Sequence, residues 1–244
     1  MARAAKKAVA KTTDTDNLPA YMSQTSHRGA ENVTTEDLSI PRIDVVQALS
    51  PQRKKSDPAF IEGAEEGMLY NSITGELYGT SLDFIPVFFR KEHIVWKDRD
   101  SGGGFCGAFA DRQEAVDRMN ELGADLHDVN DTAQHFIMIL KSGGKLEEAV
   151  LSMAKSKLKC SRQLNTLCRM SGGDTFASHF TLATNEASSD KGDYWSYNVK
   201  RIGWVEEDQY KAGEVLYESI AAGQRDVNRS TDAESSDSST PDEY

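Results

Sequence analysis

LSMAKSKLKCSRQLNTLCRM, residues 151–170, is the stretch around which the rest of this chain can be read. At helical spacing Lys155, Lys159, Arg162 and Arg169 fall on one face, at steps of four, three and seven. Leu158, Leu164, Leu167 and Cys168 lie away from that stripe, as an amphipathic helix requires. From Lys141 to Met170 there are seven Lys or Arg against two Glu, a local charge of +5 in a chain of net charge −11. A cationic island on an acidic protein gathers phosphate-seeking charge at one place. The plainer reading is a solvated helix face, so the flanking sequence decides.

The 244 residues suit one domain with tails. Only 38% are hydrophobic, and the polar excess sits at the two ends. No apolar run approaches the roughly 20 residues of a membrane span. The basic N-terminus lacks the apolar segment of a secretory signal. The cysteines Cys106, Cys160 and Cys168 are odd in number and lack metal-ligand spacing. Reduced thiols in a cytoplasmic setting are therefore expected, with no metal site and no membrane partner.

Downstream of the basic stretch, Gly172-Gly173 makes a break, and two alternating strands follow at 175–183 and 193–205. In the second, Trp195, Tyr197, Val199 and Val205 share one side; Tyr194, Ser196, Asn198, Lys200 and Trp204 share the other. A last helix is expected at 210–222. Upstream, Lys145–Met153 reads as helical and 135–140 (HFIMIL) as a short buried strand. A hairpin is expected from strands at 68–73 and 82–89 around a Thr74-Gly75 turn. Its second strand puts Leu82, Phe84, Pro86 and Phe88 on one side and Ile85, Val87 and Phe89 on the other. Pro86 points to an edge or a bulge, and His93–Trp96 continues that strand after a bend. Residues 98–132 read as an insertion carrying a glycine loop and a helix at 111–122. Order is expected from Leu38, where Ile40, Ile43, Val45, Val46 and Leu49 supply apolar anchors between Pro41 and Pro51.

Two catalytic readings fail on context. Gly102-x-Gly104-x-x-Gly107 matches a dinucleotide fingerprint, but charged residues separate it from the preceding strand, and the helix begins only past its third glycine. The five histidines, His27, His93, His127, His135 and His179, belong to no hydrolase or metalloprotease pattern. Neither catalysis nor a cofactor is expected.

Nucleic acid fits better. Single strands are held by cations that follow the phosphates and by rings on which bases stack, at about 1–3 kcal/mol per base. Lys155, Lys157, Lys159, Arg162 and Lys200 are the candidate phosphate ligands. Trp195 and Tyr197 are assigned to the core, which turns Tyr194 outward with Lys200. Tyr194 and Trp96 are the candidate stacking rings, and Arg90, Lys91 and Trp96 form a second aromatic–basic cluster.

LSIPRIDVVQALSP, GMLYNSITGEL, LDFIPVFFRKEHIVW, KSKLKCSRQLNTL and FTLATNEASSDKGDYWSYNV, taken together, resemble a family of phage-encoded single-stranded DNA-binding proteins on an OB-type fold. The resemblance spans about 40–205. It implies a mainly β, α+β domain: a five-stranded barrel with the basic helix between its third and fourth strands. The organisation expected is a disordered basic arm at 1–36, an OB-like domain at 37–222 and a disordered acidic tail at 223–244. In such proteins the tail recruits replication or recombination partners. Here Asp237, Asp242, Glu243 and the terminal Tyr244 would carry that role. Homo-oligomerisation is compatible with this reading. The competing expectation is a non-enzymatic phage structural or adaptor protein whose basic helix docks a protein partner.

Overall fold

The computed structural model describes residues 29–33, 40–98, 101–189 and 192–224. The expectations for most of the N-terminal arm, and for the tail from Arg225 to Tyr244, lie outside them. Contacts divide the chain into residues 1–34 and 35–244. In the first unit the described residues make a turn, in which the Val33 N–H donates to the Ala30 carbonyl at 3.1 Å. All that follows concerns the second.

The organising element is a 17-residue strand, Ser81–Lys97. Counting in chain order, the strands before it are β1 (Ile43–Val45), β2 (Leu69–Asn71) and β3 (Leu77–Gly79), so this one is β4. After it come β5 (Phe105–Phe109), β6 (His127–Leu140), β7 (Leu146–Ala154), β8 (Ser178–Ser189) and β9 (Gly192–Trp204). The helices are α1 (Arg112–Leu122), α2 (Leu158–Ser171) and α3 (Glu207–Ala221). The five long strands form one antiparallel sheet in the order β7-β6-β4-β8-β9, with β5 also paired to β4. β1, β2 and β3 form a second, small antiparallel sheet.

Alternation along β4 explains why both faces of the large sheet are covered. Leu82 and Phe84 join Ile137, Ile139, Leu151, Leu182 and Leu164 in a core that lies with the small sheet and α2. Ile85 and Val87 join Phe136, Met138, Phe176, Leu216 and Ile220 in a second core that includes α3. Pro86 sits at an irregularity in the β4–β6 register, between Pro86 and Phe88. A residue with no N–H to donate is tolerated at such a bulge. The extra residue reverses the alternation that simple counting gave. Phe88 packs with the Ile85 side, and Phe89 is left 41% exposed.

Two expected helical stretches are replaced. Residues 146–154 are strand β7, paired to β6 along its length. Ala149, Leu151 and Met153 face one core and Val150 the other, so two-sided burial in a sheet outweighs the helix propensity of LEEAVLSMA. The basic helix therefore begins only at Leu158, after a 3-10 turn at Lys155–Lys157 in which Lys155 has φ +50°. Residues 101–132 hold β5, α1 and the first part of β6, and both strands pair with the far half of β4.

The expectation of a closed barrel is not met: among the described residues β7 and β9 form no ladder, and the sheets stay open. Residues 41–47 touch both edges instead. The Pro41 carbonyl accepts from the Val150 N–H of β7 at 2.8 Å. The Gln47 side-chain amide donates to the Trp195 carbonyl of β9 and accepts from its N–H, both at 2.8 Å. One buried amide thus satisfies an edge backbone that a closing strand would otherwise have to pair.

Candidate functional site

α2 is amphipathic and ends at Gly172, whose φ of +75° suits a residue without a Cβ. Cys160, Ser161 and Leu164 are buried, whereas Lys159, Arg162, Thr166, Arg169 and Met170 are exposed. At 100° per residue the exposed set is one ridge, and Lys159 to Arg169 spans about 15 Å at 1.5 Å per residue. The helix is fixed on both flanks. On one, the Gln163 amide donates to the Val199 carbonyl of β9 at 3.3 Å. On the other, Ser161 Oγ lies 2.7 Å from Nε2 of His135 on β6. Burial drives the His135 pKa down to about 4, so its ring is neutral near pH 7.

The cations of this region differ from those of the β4 arm. Among the described residues, Lys159, Arg162, Arg169 and Lys200 make no ion pair with a carboxylate. Lys200 follows Val199, and Arg162 precedes Gln163. Val199 faces the core it shares with α2, so alternation turns Lys200 to the other face of this edge strand. Lys155 is exposed at the turn before the helix. Lys157 is 7% exposed, with its ammonium 4.5 Å above the Tyr197 ring and 3.5 Å from the hydroxyl. Burial pulls its pKa down, opposed by the Asp44 charge. Its ammonium is therefore a core group, unlike those of the exposed Lys155 and Lys159.

On β9, Tyr197 is buried, and Trp195 is half-buried against the same core. Trp195 lies over Gly67, where a Cβ would come within 2.7 Å of the indole. Tyr194 is half-buried and Lys200 exposed. The ring left open is Trp204, 59% exposed, with the Arg201 guanidinium 4.5 Å over it. Arg201 is held there by Ser178 Oγ, which accepts from Nε at 3.2 Å and from Nη2 at 3.1 Å. Sequence reasoning placed Trp204 on the Lys200 side without giving it a role. The signal was the Lys200-Arg201 pair three residues before a tryptophan.

Arg90, Lys91 and Trp96 stand elsewhere, on the far half of β4. Trp96 is half-buried and edge-on to Phe105, at 5.8 Å and 74°. Arg90 pairs with Glu92 at 3.0 Å and lies over the Phe136 ring. Lys91, His93 and Arg112 converge on Asp131, at 3.1, 2.8 and 3.7 Å. Burial alone would raise the Asp131 carboxyl, but the hydrogen bonds and charges of Lys91 and His93 hold it below its usual range.

The glycine run lies in the β4–β5 connection and leads into a strand, not into a helix N-terminus as a dinucleotide loop does. The three cysteines are free thiols, and burial pushes Cys160 up to about 12 and Cys168 up to about 11. Cys160 and Cys168 act as packing residues. Among the described residues no helix is long and apolar enough to cross a membrane.

These elements define an α+β protein, mainly antiparallel β, with a cationic helix laid along an edge strand. The chain belongs to the Pam3 phage gp34-like protein family, whose model matches residues 9–226. This bears out the phage setting that the sequence resemblance implied. No curated protein and no solved structure matches the chain.

Proposed function

We propose that this protein coats single-stranded DNA without sequence preference, in phage DNA replication or recombination, and that it does so as a non-enzymatic binding protein in the host cytoplasm. The observation that carries the reading is the α2 ridge: exposed cations without described counter-charges, beside an edge strand bearing Lys200 and an open tryptophan under an arginine. Lys155, Lys159, Arg162 and Lys200 would neutralise phosphates, and Trp204 would offer a base its free face.

The fold is compatible with the OB-type part of the reading. The five long strands run β4, β6, β7, β8, β9 in chain order, with α2 between the third and fourth. OB-folds are themselves partly open barrels. The tail residues Asp237, Asp242, Glu243 and Tyr244 would recruit replication or recombination proteins.

The test is fluorescence anisotropy of the full chain with labelled oligo-dT, against a duplex of the same length. Binding is expected to prefer the single strand and to fall steeply with salt, log K against log salt losing about 0.7 per neutralised phosphate. Absence of binding at low salt would reject the reading and favour an adaptor whose exposed Trp204, with Arg201 over it, meets a protein, the residue types typical of interface hot spots.

A further inference from the structure

We infer that the cleft between the β4 bulge and the C-terminal half of α2 receives one unpaired base of a bound single strand, with a flanking phosphate on Arg169. This rests on the single-strand reading above and assigns it a second, separate point of base contact. The cleft measures about 170 Å³ and is lined by Phe88, Phe89, His135, Asn165, Arg169 and Thr175, among others. It exists because β8 pairs with β4 only at Ser81–Phe84, and the bulge then turns Phe89 outward.

Three features point to a nucleotide as the occupant. Phe89 is an exposed flat ring set against His135, with centroids 5.0 Å apart, and His135 is anchored by Ser161. Its face is therefore held in place before any base arrives. Arg169 lies on the ridge of Lys159 and Arg162, so phosphates following that ridge reach the cleft at its end. The Asn165 amide and the Thr175 hydroxyl make no side-chain hydrogen bond with a described residue. They leave donors and acceptors for a base edge, in no fixed pattern. A base engaged in a duplex cannot enter a cleft of this size, so the cleft favours single strands.

The experiment uses the full chain with oligo-dT carrying one 5-iodo-deoxyuridine, photocrosslinked and mapped by peptide mass spectrometry. Titrations of Phe89→Leu and Arg169→Gln run in parallel, with circular-dichroism melts to verify folding. The expected result is crosslinking to the peptide that contains Phe88 and Phe89, and binding about tenfold weaker in each variant. Should Phe89→Leu not fold, Arg169→Gln and the crosslink map decide. Parent-like binding by the variants, or crosslinks confined to other peptides, would overturn the cleft while leaving the single-strand reading intact. A parent chain that binds no oligonucleotide would overturn both.

Discussion

Two parts of this molecule look alike in sequence and differ in charge balance. Arg90-Lys91 with Trp96 on β4, and Lys200-Arg201 with Trp204 on β9, are both basic pairs a few residues before a tryptophan. On β4 the cations meet Glu92 and Asp131, and the indole is packed edge-on against Phe105. On β9 Lys200 has no described carboxylate partner, and the indole is open beneath Arg201. An ion pair already formed offers little to a phosphate, because the new contact must displace the old one. The difference therefore lies in the cross-strand partner, which linear spacing does not display.

The largest effect should come from removing Lys159, Arg162 and Lys200 together as alanines. Affinity for oligo-dT is expected to fall on the order of a hundredfold at low salt, with the salt slope shallower by about 2 for three phosphates. The melting temperature should move little, since all three side chains are exposed. A triple variant that binds like the parent would end the comparison at once.

Next in size is a contrast in acid between His135, set against α2, and Asp131 on the β4 arm. His135 is neutral in the fold, and its pKa of about 4 lies below the 6.5 of a free histidine. As pH falls the unfolded chain takes up this proton first. The associated stability is full above about 6.5 and is lost progressively down to about 4, amounting to about 3 kcal/mol by linkage. Urea titrations at pH 7.5, 6, 5 and 4 should show the decline, and His135→Gln should flatten it. Asp131 has the opposite chemistry. Its folded carboxyl is depressed, so its contribution is present above the usual carboxylate range and lost only as pH falls through its lowered value. Two separate acid steps would sharpen the contrast, and a pH-independent midpoint between 6.5 and 4 would refute the assignment to His135.

Much of the architecture was legible in sequence. The strand at 82–89, the shared side of Trp195, Tyr197 and Val199, the turn near Thr74 and the α1 boundaries all follow from apolar period and turn chemistry. The hairpin partner does not: that turn joins β2 to Leu77–Gly79 and not to 82–89, and Val205, counted with Tyr197, packs in the other core past the end of β9. What was not legible has physical causes. β7 is written in helix-forming residues, and only its pairing with β6 makes it a strand. The Pro86 bulge shifts parity by one, so Phe89, counted on the side of Ile85 and Val87, stands exposed instead. Lys157 read as one more surface cation because the turn at Lys155–Lys157, with a positive φ at Lys155, breaks the helical count. The counter-charge at Asp131 comes from a strand about 40 residues downstream of Lys91, beyond any local pattern.

A third variant, Asp131→Asn, tests that counter-charge directly. It removes the carboxylate that Lys91, His93 and Arg112 share. His93 is buried, so losing its partner should destabilise by about 1 kcal/mol, the exposed lysine and arginine adding little. Thermal denaturation at pH 7 would measure this. The same change frees Lys91 and Arg112, and an accompanying gain in oligo-dT affinity would show that only the carboxylate keeps this arm silent.

The smallest expected effect is the most discriminating. Arg90→Ala with Lys91→Ala removes two positive charges from the protein, close to the number removed with the ridge. A strand attracted only by overall charge would respond to both losses alike, since long-range steering does not depend on which lysine supplies it. If contact decides instead, this double variant should bind oligo-dT within about twofold of the parent, because its cations are already engaged with Glu92 and Asp131. Anisotropy titrations at two salt concentrations separate the cases: an unchanged salt slope assigns the phosphates to the α2–β9 side, and a slope reduced by about 1.4, two phosphates' worth, assigns them to the β4 arm as well.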